Sequence, residues 1–229
     1  MQRRERDYGL TWIGVVVVFG ILALLAGLLF PGIGGHGCGE SAGRAAAGTS
    51  VRSIVAALKS YHNDYGHFPE IRKPRTDRKF VVYVGDPACK MSESSNGALF
   101  DVLRAIPRGP NANHALNPRQ QKYFEARIAR NPKYPRDGFG DGPQFSAKDQ
   151  GCLFDPWGRQ YCIAFTTDGS GTLDLSAVYS DLAGPEHLIR SPVAAFSLGK
   201  DGIPGGKGYE GKFRKPASSQ VPDDIFSWW

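Results

Sequence analysis

The side chains best suited to chemistry in this 229-residue chain are four cysteines, five histidines and a few aspartates set among glycines near its end. Cys38, Cys89, Cys152 and Cys162 form no CxxC pair, and no Cys/His cluster has the spacing of a structural zinc site. Cys152 and Cys162 flank Asp155-Pro156-Trp157-Gly158, a strong turn signal. A hairpin over that turn brings the two thiols close, which favours a Cys152–Cys162 disulfide and leaves Cys38 with Cys89 by elimination; the alternative is a set of reduced or partly paired thiols. The histidines His36, His62, His67, His114 and His187 show no HExxH spacing, and no GxSxG elbow is present, so the chain does not read as an enzyme. Thr166–Asp174 follows an acidic cation loop only loosely. Only Asp168 and Asp174 are acidic there, and a hairpin turn at Ser170-Gly171 is the preferred reading.

The elements that would position these groups can be read along the chain. Leu10 to Phe30 carries no charge, and about 20 helical residues cross a hydrocarbon core of roughly 30 Å. Arg3, Arg4 and Arg6 precede it, which places the N-terminus in the cytoplasm and the remainder outside. The run is longer than the core of a cleaved secretory signal and ends in no A-x-A site. A lipoprotein reading through Cys38 fails because the apolar run ends too early. Pro31 and the glycines that follow predict a helix break over residues 31–40. From Ser41 to Tyr65, Val51, Ile54, Val55, Leu58, Tyr61 and Tyr65 fall at helical spacing, with Gly66 as C-terminal cap and Pro69 beyond it.

Between Glu70 and Arg136 there are 14 Lys/Arg against 6 Asp/Glu in a chain of net charge +6. A solvated basic surface is the preferred reading; with no nucleic-acid-binding motif around it, nucleic acid is not an expected partner. Ala98–Leu103 reads as a short helix. Asn117 caps a further helix from Pro118 onward, with Tyr123, Phe124 and Ile128 on its apolar face. Gln160–Thr166, Thr172–Tyr179 and Val193–Leu198 read as strands, the first two forming a hairpin over Asp168–Gly171. The fold class is α+β: a long N-terminal helix, half transmembrane and half amphipathic, laid on a small antiparallel sheet with a C-terminal loop.

Three stretches share a resemblance. They are Gly9-Leu10-Thr11-Trp12-Ile13 with its apolar run, Ala57-Leu58-Lys59-Ser60-Tyr61 with Asp64-Tyr65-Gly66-His67-Phe68-Pro69, and Ser197-Leu198-Gly199-Lys200-Asp201-Gly202 with Gly205-Gly206, Asp223-Asp224-Ile225 and Ser227-Trp228. Together they resemble the pilin-like (type IV pilin-like prepilin) subunits of bacterial secretion filaments, above all the major pseudopilin of type II secretion systems. The resemblance covers residues 1–69 and 152–229. It implies a prepilin leader over 1–9, cleavage after Gly9 and N-methylation of Leu10 by a prepilin peptidase. It further implies a transmembrane helix over 10–30, a break over 31–40 and a periplasmic domain over 41–229, with an insertion at 85–150 and a C-terminal loop at 199–229. The implied role is structural: a single-pass inner-membrane protein that joins other pilin-like subunits on an inner-membrane assembly platform, forming a periplasmic pseudopilus that supports protein export across the outer membrane. The resemblance also implies one Ca²⁺ in the C-terminal loop, held by Asp201 and Asp224, with Asp223 as competitor and a carbonyl near Leu198.

Gly14 stands where most pilins carry Glu, and among type II pseudopilins the large tip subunit is the one that lacks this Glu, so the alternative in the same class is a minor or tip pseudopilin or a type IV pilin subunit. The alternative of another class is a membrane-anchored periplasmic binding domain that never polymerises.

Overall fold

The computed structural model describes residues 12, 16–19, 21, 37–71, 81–89, 92, 94–182, 184, 187–206, 210–213 and 223–228, without the side chains of 37 and 38. The chain divides into two units, Met1–Ser41 and Ala42–Trp229. In the first, Trp12, 16–19 and Ile21 are helical, and their apolar side chains are exposed. Among the described residues no helix is long and apolar enough to cross a membrane; most of the expected span over 10–30 lies outside them.

Helix α1 spans Gly37–Tyr65. Ala47, Val51, Ile54, Leu58 and Tyr61 recur every three or four residues and are fully buried, so one stripe of the helix faces the interior. Each such side chain contributes about 1.5–3 kcal/mol on burial. Gly66 takes a left-handed φ of +76° and its N–H donates to His62 O at 2.7 Å, closing the helix as its sequence predicts. The helix begins earlier than the expected break allows, since residues 37–40 are already helical. Glu40 in the first turn complements the helix dipole, and glycine is tolerated at a helix N-terminus. The rest of the expected break, 31–36, lies outside the described residues.

The stripe packs on a four-stranded antiparallel sheet of order β1-β4-β5-β6, with β1 Val81–Val84, β4 Cys162–Thr166, β5 Val193–Ser197 and β6 Ile225–Phe226. The short strands β2, Gly138–Gly140, and β3, Cys152–Phe154, form a second sheet. Alternation along each strand divides two apolar clusters. Val82, Val84, Ile163, Phe165, Val193 and Ala195 join the α1 stripe. Tyr83, Cys162, Ala164, Ala194 and Phe196 point the other way, onto Leu173, Tyr179, Leu198 and Phe226. The central strands are therefore covered on both faces, which is why Cys-Ile-Ala-Phe-Thr and Val-Ala-Ala-Phe-Ser read as continuous apolar runs and are buried throughout.

Thr172–Tyr179 is not a strand. Asp174 Oδ1 accepts the Ser176 N–H at 2.8 Å, a local Asx turn that competes with strand pairing, and only Leu173 bridges to Ile189. The partners of β4 are thus β1 and β5, and the expected hairpin over 168–171 does not form.

The hairpin over Asp155–Gly158 starts as expected and then splits. Phe154 bridges Gln160, and the Tyr161 N–H donates to Leu153 O at 3.3 Å. At the next step the fully buried Asn96 enters: its Nδ2 donates to Leu153 O and Tyr161 O, both at 3.0 Å, and its Oδ1 accepts the Leu153 N–H at 3.0 Å. Beyond this wedge β3 pairs with β2 and β4 with β1. Cys152 and Cys162 consequently part into different sheets, and both are thiols in this structure, where a Cys152–Cys162 disulfide was expected. The Cys152 thiol instead donates to Lys148 O at 3.4 Å, and burial pushes it up to about 11. The side chain of Cys38, and with it the expected Cys38–Cys89 pair, lies outside the described residues.

The 85–150 segment contains α2, Gly97–Leu103, matching the expected short helix. No helix follows Asn117. This fully buried side chain donates to Val102 O and Gln121 O at 2.8 Å each and accepts the Tyr65 hydroxyl at 2.9 Å, so it closes a turn and ties it to α1. Part of the basic stretch is internal: Arg108 grips both oxygens of Asp101 at 2.6 and 2.8 Å and reaches Asp141 at 3.1 Å, while Arg104 bonds Asp141 at 3.0 Å and lies 3.9 Å over the Phe139 ring.

Replacing Asn96 by Ala leaves the Leu153 N–H and two carbonyls to find other partners. We expect Asn96→Ala to lower unfolding free energy by about 3 kcal/mol at unchanged denaturant m-value, measured by urea titration.

Candidate functional site

Strand β5 ends at Ser197, and Leu198, fully buried, anchors the start of the C-terminal loop. Gly199 follows with φ +63°; a Cβ there would stand 2.4 Å from Asp223 O, so only glycine lets the returning chain cross at this point. The return is fixed by β6, which pairs Ser197 with Ile225 and Phe196 with Phe226. Two residues distant in sequence, Asp201 and Asp223, are thereby set side by side: the Asp201 N–H donates to Asp223 Oδ2 at 2.9 Å. Asp201 Oδ1 accepts the Ile203 N–H at 2.9 Å, tightening the loop. Gly206, at φ +85°, exposes the same space: a Cβ there would lie 3.5 Å from Asp201 Oδ2 and 3.6 Å from Asp223 Oδ1.

Asp224 is buried beneath this pair. Its Oδ2 accepts the Tyr179 hydroxyl at 2.9 Å and the Gly205 N–H at 2.7 Å, while its Oδ1 accepts no hydrogen bond from the described residues. Burial pushes the Asp224 carboxyl up to about 7, against the pull of these two donors and with the added repulsion of Asp223 and Asp201. A buried carboxylate oxygen with an open acceptor, close to two further carboxylates, is an environment that positive charge would stabilise.

Asp201 and Asp224, the expected ligands, and Asp223, their expected competitor, are therefore neighbours, while Leu198 O, near which a carbonyl ligand was expected, accepts the Gly202 N–H at 3.1 Å. Among the described residues no group of three His, Cys, Asp or Glu is arranged to hold a metal ion as it stands. Gly9 and Leu10 lie outside the described residues. The turn at Asp168 is a plain one: Asp168 Oδ1 accepts the Ser170 N–H at 3.0 Å, and this bond holds the exposed carboxyl below its ordinary value.

Several members of the site escaped the sequence reading. Tyr179 lay in what read as a strand, and nothing local marks it as the donor to Asp224. Asp155 was legible only as a turn residue. Its Oδ1 accepts the Trp157 and Arg159 N–H groups at 2.9 Å, and its Oδ2 accepts the Ser197 hydroxyl at 2.6 Å, so one buried carboxylate joins the turn to the end of β5. Ser197 Oγ in turn accepts the Gly199 N–H at 3.1 Å. Arg159 Nη2 reaches Asp201 O at 3.3 Å across the loop.

Comparison of the chain with protein-family models, with curated proteins and with solved structures returned no match.

The raised Asp224 carboxyl gives a pH dependence of defined sign. Between the unfolded value of about 3.9 and the folded value of about 7, the folded chain holds a proton that the unfolded chain has released. This contribution to stability is complete below about pH 4 and declines as pH rises to about 7. In chelator-containing buffer we expect the wild type to lose melting temperature across that window and Asp224→Asn to flatten the loss, read by thermal unfolding at stepped pH.

Proposed function

We propose that the chain is a pilin-like subunit of a type II secretion pseudopilus, a structural protein that supports export across the outer membrane. The observation that carries the reading is a union of parts. An apolar run with a basic start precedes a long helix whose one stripe covers an antiparallel sheet, and the sheet is closed by a C-terminal loop bearing Asp201, Asp223 and Asp224. The exposed apolar side chains of Trp12, 16–19 and Ile21 favour a helix made to meet lipid or other helices over one made to meet water. In this reading the precursor is cut after Gly9, Leu10 is N-methylated, and the domain from 41 onward stands in the periplasm. Its partners are other pilin-like subunits, the prepilin peptidase and the inner-membrane assembly platform. Gly14 points within this class toward a minor or tip position.

Ca²⁺ belongs to the same proposal. Asp201 and Asp223 would hold it with Asp224 beneath, and the ion would supply the positive charge that offsets their mutual repulsion. The orphaned Asp224 Oδ1 fits such a group. The chain's own residues do the rest. β6 fixes the second pair of aspartates, and the Gly205 and Gly206 backbone keeps the space open.

Mass analysis of the protein from membranes of a cell that has a prepilin peptidase tests the pathway. A mature chain starting at N-methylated Leu10 is expected; an intact Met1 would instead support the non-polymerising anchor. For the cation, calcium at a hundredfold excess over its Kd stabilises by about 2.7 kcal/mol. Chelation is therefore expected to lower the melting temperature by several degrees, and Asp201→Ala to remove the difference. Superimposable melting curves with and without chelator would exclude a stabilising calcium ion.

A further inference from the structure

The split hairpin that separates Cys152 from Cys162 leaves Cys162 with a different neighbour. In the β1–β4 ladder Val84 pairs with Ile163, so the next step sets Gly85 opposite Cys162. The approach is close: a Cβ on Gly85, at φ +131°, would stand 2.7 Å from Cys162 Cα. Directly after Gly85 the chain turns back. The Ala88 N–H donates to Asp86 Oδ1 at 2.8 Å, the Cys89 N–H to Asp86 O at 3.0 Å and the Ser92 N–H to Cys89 O at 2.7 Å. The Gly85 N–H to Ser94 O bond at 2.9 Å closes the base of this turn. Its effect is to fold Cys89 onto the same sheet face as Cys162. Both are 1% exposed and share the apolar cluster that holds Tyr83, Ala164 and Tyr179, and each thiol lies within electrostatic reach of the other.

We propose that Cys89 and Cys162 are an oxidisable pair that forms a disulfide across the end of the β1–β4 ladder, leaving Cys152 as a thiol. The inference stands on the geometry of this sheet edge and not on where the chain resides. The chemistry is thiol–disulfide exchange with a small-molecule or protein disulfide. One thiolate attacks the reagent, forming a mixed disulfide and releasing one reagent thiolate. The second thiolate then attacks the protein sulfur of the mixed disulfide and releases the other. The protein gives up two electrons and two protons, and the reagent gains them as two thiols. Because both sulfurs are shielded in the folded chain, exchange takes place before the domain has folded or on its local opening. The finished bond is shielded from reductant in the same way.

The crosslink has a structural consequence. It joins β4 to the turn after β1 within the apolar cluster that also holds Tyr179, the donor to Asp224, so it braces the core on which the C-terminal loop rests. It closes a loop of roughly 70 residues, for which chain-entropy reasoning gives a rise in melting temperature of roughly 10 °C.

The full-length protein, refolded in a glutathione redox buffer, is quenched with acid, denatured, alkylated and mapped without reduction. A linked Cys89–Cys162 peptide with alkylated Cys152 is expected, and it should persist in Cys152→Ser. Recovery of alkylated Cys89 and Cys162 after equilibration with oxidised glutathione overturns the proposal, as does either residue bonded to Cys152 or Cys38. The melting temperature of the oxidised wild type should fall by roughly 10 °C on full reduction, whereas Cys162→Ser should show no change with reductant; the wild-type map decides the pairing even if that variant does not fold.

Discussion

Two-sided burial of the short central strands is the constraint on which the rest of this structure depends. β4 and β5 carry apolar side chains on both faces and cannot present either to water without losing several kcal/mol. One face is met by the α1 stripe. The other is met by chain segments after β4 and by the returning C-terminus, through Leu173, Tyr179, Leu182, Leu198 and Phe226. The C-terminal loop is thus a packing layer of the domain, and the aspartates that it carries are held at the rim of a core. Aromatic contacts reinforce that layer: Tyr179, Phe196, Phe213, Phe226 and Trp228 form a chain of edge-on and tilted ring contacts, with Phe213 and Trp228 stacked, at centroid distances of 4.8–6.4 Å.

Buried polar side chains supply what this layering lacks. A sheet of strands this short leaves many backbone groups unpaired at its ends, and each costs free energy when buried without a partner. Asn96 and Asn117 satisfy such groups at two junctions, and Asn111 at a third, donating to Ile106 O at 2.9 Å and accepting the Leu116 and Asn117 N–H groups at 3.2 and 3.1 Å. Asp155 does the same at the base of the C-terminal loop. These residues decide topology. Asn96 determines where the hairpin ends, and through it which thiol meets which.

Such wiring also shapes the proposed function. A loop whose two ends are anchored by the pairing of β5 with β6 brings like charges together, and burial, with the repulsion of Asp223 and Asp201 added, raises the Asp224 carboxyl. Positive charge supplied there would relieve it. In a filament subunit, a loop tightened in this manner would present a defined surface to neighbouring copies while the apolar N-terminal run makes the principal contacts.

What the sequence by itself determined is local: the 3.6-residue stripe from Val51 to Tyr61, the Gly66 stop, the α2 segment and strands β4 and β5 were all legible, because periodicity and glycine or proline punctuation are properties of neighbours. The clustering of Asp201, Asp223 and Asp224 was legible only through the family resemblance of the loop. Tertiary structure alone decided the rest. Thr172–Tyr179 has strand composition, yet the Asp174 turn and the burial of Leu173, Leu175 and Tyr179 across the sheet face outweigh its propensity. Pro118 onward has helical spacing, yet Asn117 spends its amide on Val102 and Gln121 and closes a turn instead. The thiols show the reason most clearly. Ten residues of sequence join Cys152 to Cys162, but a single amide from Asn96 parts their strands, and a turn more than seventy residues upstream delivers Cys89 in its place. Hydrogen-bond demand at buried strand ends is met by whichever side chain the fold brings there, and that choice is not written in local sequence.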